Sequence, residues 1–305
     1  MKKRVVLLVG VPGSTKTSYA TSQASKAGVV VLSRDRNGGT LKGLIPEYTR
    51  LLKDTTTHTV IVDNTHLTRD QRALFLQPAA DLKVPVHVLW FNTPMEDAEI
   101  RILRRPAPRI PPFAMVRMQR SFQRPDPTLE RGLVSVKVLD VPRPRWETKD
   151  FPNKALFLDV DGTLRDVSHL PRHYPIKAGE VRLIRPAKEM CAVLETWVKK
   201  GYVLIAVSNQ SGVATGVVSD KQVRACFQKV SQLLGHCVRI HYFYCNHFAS
   251  SAGCYCRKPH TGLIVDAAHR YKVNPHKSVM VGDRDTDALL AKRVGCRFVW
   301  AADFW

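Results

Sequence analysis

Residues 4–9 form an unbroken run of β-branched residues and leucine after one arginine, and the run opens directly into Gly10-Val11-Pro12-Gly13-Ser14-Thr15-Lys16-Thr17. A strand that is apolar at every position has both faces covered, which requires helices on each side of a parallel sheet. The glycines and proline then force a turn, and a helix-compatible stretch starts at Lys16. Further apolar runs at 29–32, 60–62 and 86–91 are each separated by enough chain for a helix. Strand, loop and helix in repetition predict an α/β architecture.

The stretch 95–120 reads as helical but is interrupted by Pro106, Pro108, Pro111 and Pro112, which predicts a broken, lid-like region. Between 138 and 153 the chain becomes rich in proline and charge, as linkers are. Apolar strand runs then restart at 154–158 and recur at 203–207 and near Val279 and Phe298, with a helix expected around 188–200. Two α/β domains are therefore expected, 1–146 and 147–305.

With 305 residues and 44% hydrophobic composition, the chain can fill two cores. A formal charge of +21 is too lopsided for an ordinary metabolite enzyme and suits a polyanion, so nucleic acid is the expected partner. No apolar run is long enough to span a membrane and the N-terminus lacks the pattern of a secretion signal, so a cytoplasmic location is expected. All seven cysteines lie in the second half; an odd number without a secretion signal favours a metal site over disulfides.

The loop at 10–17 can wrap its backbone N–H groups around the phosphates of a nucleotide. Lys16 would reach the β- and γ-phosphates of ATP, Thr17 would hold Mg²⁺, and Gly10, Gly13, Ser14 and Thr15 would line the cradle. Thr15 stands where the motif expects glycine. Ser33-Arg34-Asp35-Arg36-Asn37-Gly38 and Asp63-Asn64-Thr65 follow the next two strand runs, at the sheet end where ligands gather. Asp35 is the expected general base for an attacking hydroxyl, with an Asx-turn as its competing role. Arg101, Arg104 and Arg105 are candidates for the cation over the γ-phosphate, Arg104 foremost.

The order of P-loop, Arg34-Asp35 with Gly38, Val62-Asp63-Asn64-Thr65 followed by Arg72, then the run 84–91 and Ser121-Phe122-Gln123 resembles the kinase domain of the polynucleotide 5'-kinase/3'-phosphatase family. The resemblance implies that Asp35 activates a 5'-hydroxyl. Phage-type members carry arginine where this chain has Gly38, leaving Arg34 or Arg36 to grip the acceptor phosphate.

In the second half, Leu158-Asp159-Val160-Asp161-Gly162-Thr163 sets two carboxylates at a strand's end, suited to a metal and a phosphate. It resembles the first motif of the haloacid dehalogenase-like phosphatases, which implies a Rossmann-like domain with Asp159 as nucleophile and Asp161 as acid and base. The resemblance extends to Ser208-Asn209 and Lys258 as phosphate ligands, with Thr163 beside them. Asp159, Asp161 and Asp283, with Asp287, would form the Mg²⁺ site. Cys245, His247, Cys254 and Cys256 supply the donor set of a structural Zn²⁺, in a loop resembling that of the histidinol-phosphate and heptose-bisphosphate phosphatases.

A kinase for 5'-hydroxyls joined to a phosphatase on a basic chain suggests an enzyme that heals nucleic acid ends for a ligase; self-association stays open. A metabolite kinase fused to a sugar- or histidinol-phosphate phosphatase is the main alternative. A binding module with a degenerate P-loop is the third.

Overall fold

The structure, a computed structural model, describes residues 2–105, 110–247 and 254–305. It divides into two compact units, Met1–Arg143 and Pro144–Trp305. Pro106 and Pro108 lie outside the described residues.

In the first unit the strands are β1 (Arg4–Val9), β2 (Val29–Ser33), β3 (Thr59–Asp63), β4 (Val86–Asn92) and β5 (Leu133–Asp140), all parallel in the order β2-β3-β1-β4-β5. Their helices are α1 (Lys16–Ala24), the turn α2 (Arg34–Asn37), α3 (Ile45–Lys53), α4 (Arg69–Asp81), α5 (Met95–Leu103) and α6 (Pro112–Arg120). The helical stretch at 95–120 is thus two helices, with Pro112 tolerated because it occupies the first turn of α6. One apolar layer packs Val5, Leu7 and Val9 against Tyr48, Phe75 and Leu76; the other sets Val6 and Leu8 against Ala20 and Phe91. The alternation along β1 explains why the run has no polar break.

In the second unit the strands β6 (Lys154–Leu158), β9 (Tyr202–Asn209), β10 (Ile240–Cys245), β11 (Val279–Gly282) and β12 (Arg297–Trp300) make a parallel sheet ordered β10-β9-β6-β11-β12. A small antiparallel pair, β7 (Arg165–Asp166) and β8 (Arg182–Leu183), stands apart from it. Helices α7 (Ala187–Lys199), α8 (Asp220–Leu233), α9 (Gly262–Tyr271), α10 (Asp285–Val294) and α11 (Ala301–Phe304) complete the unit. Helix α8 begins with a capping box, in which Ser219 accepts from the Gln222 N–H and the Gln222 amide oxygen accepts from the Ser219 N–H.

The structure adds β5, β10 and the short pair β7 and β8 to the sequence-based strands. It also joins Cys191 to Cys237, Cα atoms 6.1 Å apart, and Cys254 to Cys256 as disulfides, against the expectation of unbridged cysteines. Nothing in the spacing shows a partner 46 residues away; the fold brings Cys191 of α7 to the segment after α8 within bridging reach.

Charge is buried in the first unit at Arg72, whose guanidinium donates to Glu130 Oε2 at 2.7 Å, Glu130 Oε1 at 2.6 Å and the His66 carbonyl at 2.9 Å. Both side chains are essentially inaccessible. Removing one partner strands the other in a low dielectric, so Arg72→Ala should destabilise this unit by roughly 3–5 kcal/mol. Denaturant unfolding followed by Trp90, the sole tryptophan of residues 1–143, would measure it.

Candidate active sites

Both sheets deliver their polar residues at the carboxyl ends of neighbouring strands, where a parallel sheet opens toward ligands. In the first unit β1 runs into the 10–17 loop, β2 into Arg34 and Asp35, and β3 ends at Asp63. A cleft of about 580 Å³ is lined by Gly13, Ser14, Thr15, Lys16, Thr17, Arg34, Asp35, Asp63 and Arg105, among others. Gly13, at φ +84°, lies where a side chain would collide with the Ala98 carbonyl oxygen at 2.5 Å. The loop can therefore close against α5 only with glycine there.

Lys16 is buried and donates to the carbonyls of Gly10 at 2.8 Å and Val11 at 2.9 Å and to Ser14 Oγ at 3.0 Å. Burial lowers its pKa to about 8, against the pull of the Asp63 carboxylate. Thr15 occupies the left-handed region at φ 67°, ψ 9°. The loop keeps the backbone that glycine would favour and carries strain at a β-branched residue.

Three of the expected site arginines do not line this cleft. Arg36 is turned away and donates to Thr21 Oγ1 at 2.7 Å. Arg104 does not line the cleft, whereas Arg105 does. Arg101 acts on the loop from outside, donating to the Gly13 carbonyl at 3.2 Å and also to that of Pro142. A five-residue span at the end of α5 holds Arg101, Arg104 and Arg105, and spacing alone does not show which faces the loop. Arg117, Met118 and Ser121, around the end of α6, also line the cleft; of these only Ser121 belongs to a stretch that the sequence singled out.

In the second unit β6 ends just before Asp159, β9 carries Ser208 and Asn209, and β11 ends just before Asp283. Carboxylate oxygens of Asp159, Asp283 and Asp287 lie within 4.8 Å of one another. Lys258 donates to Asp159 and to the Val207 carbonyl at 3.0 Å, and forms an ion pair with the Asp287 carboxylate at 2.7 Å. Burial pushes the Asp159 carboxyl up to about 6 against the pull of Lys258, and burial and Asp159 together raise Asp283 to about 6. Burial opposes charge on Lys258, but its two carboxylate neighbours win and raise its pKa. Asn209 fixes the Lys258 backbone by accepting its N–H at 2.9 Å and donating to its carbonyl at 3.2 Å.

A cleft of about 340 Å³ over this cluster is lined by Asp159, Asp161, Ser208, Asn209 and Lys258, and also by Arg172, His173, Arg257 and Arg284. The Asp161 carboxylate is outside the acidic cluster: it accepts from Arg165 at 2.8 and 3.1 Å and from Gln210 at 2.9 Å. Asp287, one turn into α10, takes that place. Thr163 is fully buried and lines no part of the cleft, because the turn after Asp161 sends its side chain into the core. The basic residues 172 and 284 come from segments far apart in the chain, and no spacing links them to Asp159.

The sulfurs of Cys245, Cys254 and Cys256 also lie within 4.8 Å of one another. His247 does not join that group; its backbone N–H donates to the Cys245 sulfur.

Two phosphate-handling domains are thus defined by fold and site. An AAA domain family profile matches residues 5–125, and one described as HAD-hydrolase-like matches 255–303. The D-glycero-beta-D-manno-heptose-1,7-bisphosphate 7-phosphatase of Haemophilus ducreyi is 31% identical over 156 residues, covering 47% of this chain and 80% of that protein. Its Haemophilus influenzae counterpart is 33% identical, covering 44% and 73%. A chain of the solved Pnkp1/Rnl/Hen1 complex is 14% identical and covers 98% of this chain and 96% of its own, at a TM-score of 0.35, too low for the likeness to bear on function. Through its C-terminal half the chain belongs to the HAD-like phosphatase family that includes these heptose-bisphosphate phosphatases, and it carries an AAA-type P-loop kinase domain ahead of it. It is an enzyme whose kinase domain binds ATP and whose phosphatase domain uses Mg²⁺.

The strain at Thr15 makes a direct prediction. A left-handed non-glycine residue costs about 1–2 kcal/mol, of which about 0.4–1 kcal/mol returns as unfolded-chain entropy when glycine replaces it. Thr15→Gly should therefore stabilise the first unit by roughly 0.5–1 kcal/mol in Trp90-monitored unfolding and leave ATP affinity intact.

Proposed function

We propose that the chain is a nucleic acid end-healing enzyme, phosphorylating 5'-hydroxyl ends from ATP and removing 3'-phosphates. The observation that carries this reading is charge: +21 overall, with Arg34, Arg105 and Arg117 around the first cleft and Arg172, Arg257 and Arg284 around the second. Such a field draws a polyanion into both sites.

In the first cleft Asp35 accepts the proton of the attacking 5'-hydroxyl, while Lys16 and Arg105 meet the charge that develops on the γ-phosphoryl oxygens. The hydroxyl oxygen gains the bond to phosphorus as the bond to the β-phosphate oxygen breaks, releasing ADP. Arg34 is the cation placed beside Asp35 for the acceptor strand, and Thr17 would hold the nucleotide's Mg²⁺.

In the second cleft Asp159 attacks the 3'-phosphate, forming an aspartyl-phosphate as the ester bond breaks, and Asp161 protonates the leaving 3'-oxygen. Asp161 then takes a proton from the water that hydrolyses the intermediate. Lys258, Ser208 and the Asn209 region hold the phosphoryl group. Asp159, Asp283 and Asp287 suit Mg²⁺, which would offset charge on the phosphate and on the three crowded carboxylates. Cys245, Cys254 and Cys256 would hold a structural Zn²⁺; the ligating form requires the Cys254–Cys256 pair reduced to thiolates. His247 would need to turn inward to be the fourth ligand. Healed ends are the substrates of a ligase, the expected functional partner.

The names of the relatives favour a second reading, a kinase fused to a sugar-bisphosphate phosphatase. An assay of both activities on 5'-hydroxyl and 3'-phosphate oligonucleotides and on heptose bisphosphate separates them. Lys16→Ala should cut 5'-labelling by about 100-fold or more and spare 3'-phosphate release, while Asp159→Asn does the reverse. Oligonucleotide ends left untouched while the sugar turns over would reject the nucleic acid reading.

A further inference from the structure

The phosphatase domain has a second cleft, of about 490 Å³, beside the first. Its lining includes Gly162, Arg185, Asp283, Trp300, Asp303 and Trp305. Two chain segments divide the clefts between them. Asp159 and Asp161 line the first and Gly162 the second; Arg284 lines the first and Asp283 the second. Contact between these segments is close: a side chain on Gly162 would come within 2.2 Å of Asp283 Oδ2. That contact is the ridge between the two clefts, and a ligand whose phosphate sits at Asp159 would reach the second cleft by crossing over it.

The chemistry of this cleft is aromatic. Trp300, the last residue of β12, is 42% exposed, and its ring is held by an edge contact with Phe298 at 4.9 Å. Trp305 is pinned by its indole N–H, which donates to the Thr163 carbonyl at 2.7 Å. Two indoles in one cleft suit a flat aromatic ligand. The carboxylates of Asp283 and Asp303 repel a second phosphate, whereas a neutral base can donate amino hydrogens to Asp303. Arg185 stands exposed in the lining, available to a backbone phosphate.

We infer that this cleft is a stacking subsite for the nucleobase of the nucleotide that carries the 3'-phosphate, with Trp300 as its platform. The inference rests on the nucleic acid reading and extends it, because a sugar bisphosphate has no aromatic ring to place there. Stacking on an aromatic side chain is sequence-tolerant, as an end-healing enzyme requires.

The test compares kcat/KM for a 3'-phosphorylated oligonucleotide with that for glycerol 2-phosphate, which has no ring to stack, using the full chain with Mg²⁺. Trp300→Ala should lower the ratio of the two about tenfold, and Trp300→Phe should restore most of it. An oligonucleotide with an abasic 3'-terminal nucleotide should show a similar loss with the unaltered enzyme and little further loss with Trp300→Ala. If oligonucleotides are dephosphorylated and the ratio does not move in Trp300→Ala, or both substrates fall together, the subsite is wrong and the end-healing reading stands. If the unaltered enzyme ignores oligonucleotides and turns over heptose bisphosphate, both are wrong.

Discussion

In a parallel sheet all strands present their carboxyl ends at one edge, and the central strands bring their following loops within a few ångströms of one another. In the kinase domain the register pairs Leu8 with Asp63, and Ser33 with Asp63, so the loops carrying Lys16 and Asp35 and the end of β3 meet over one cleft. In the phosphatase domain it pairs Leu158 with Ala206 and with Val281. Asp159, Ser208 and Asp283 follow within two residues of those partners. Both sites depend on this convergence, which the parallel pairing of β1 and β6 with their neighbours fixes.

The two buried lysines show what each domain does with the edge. Lys16 rests on two carbonyls and a hydroxyl, neutral acceptors that cannot balance an ammonium, and burial draws its pKa down to about 8. An anionic ligand beside it would raise that pKa again. Lys258 lies between two carboxylates of its own chain, and its pKa rises. That carboxylate-rich pocket carries its own counter-charge and suits a phosphate together with a divalent cation.

Legibility in the sequence followed locality. The runs at 4–9 and 154–158 and the loops after them declare strand, turn and phosphate chemistry within a dozen residues. β5 escaped notice because Ser135 and Lys137 interrupt an edge strand exposed along most of its length, and β10 because His241 and the tyrosines break the aliphatic run that marks the other strands. Side-chain direction was the main loss: Thr163 is fully buried and Arg36 bonds to Thr21, away from the clefts that their neighbours line. Partnerships across long separations, Arg72 with Glu130 and Cys191 with Cys237, leave no local mark, since the tertiary fold alone brings them together.

The central claim is that one chain holds two separate phosphate sites, each at the carboxyl edge of its own sheet. Diffraction from crystals grown with Mn²⁺ and a non-hydrolysable ATP analogue tests it most directly. The account expects one anomalous peak among Asp159, Asp283 and Asp287, and another beside a triphosphate enclosed by residues 10–17 within reach of Lys16. A nucleotide bound away from Lys16, or an acidic cluster without Mn²⁺ in the same crystals, would contradict it.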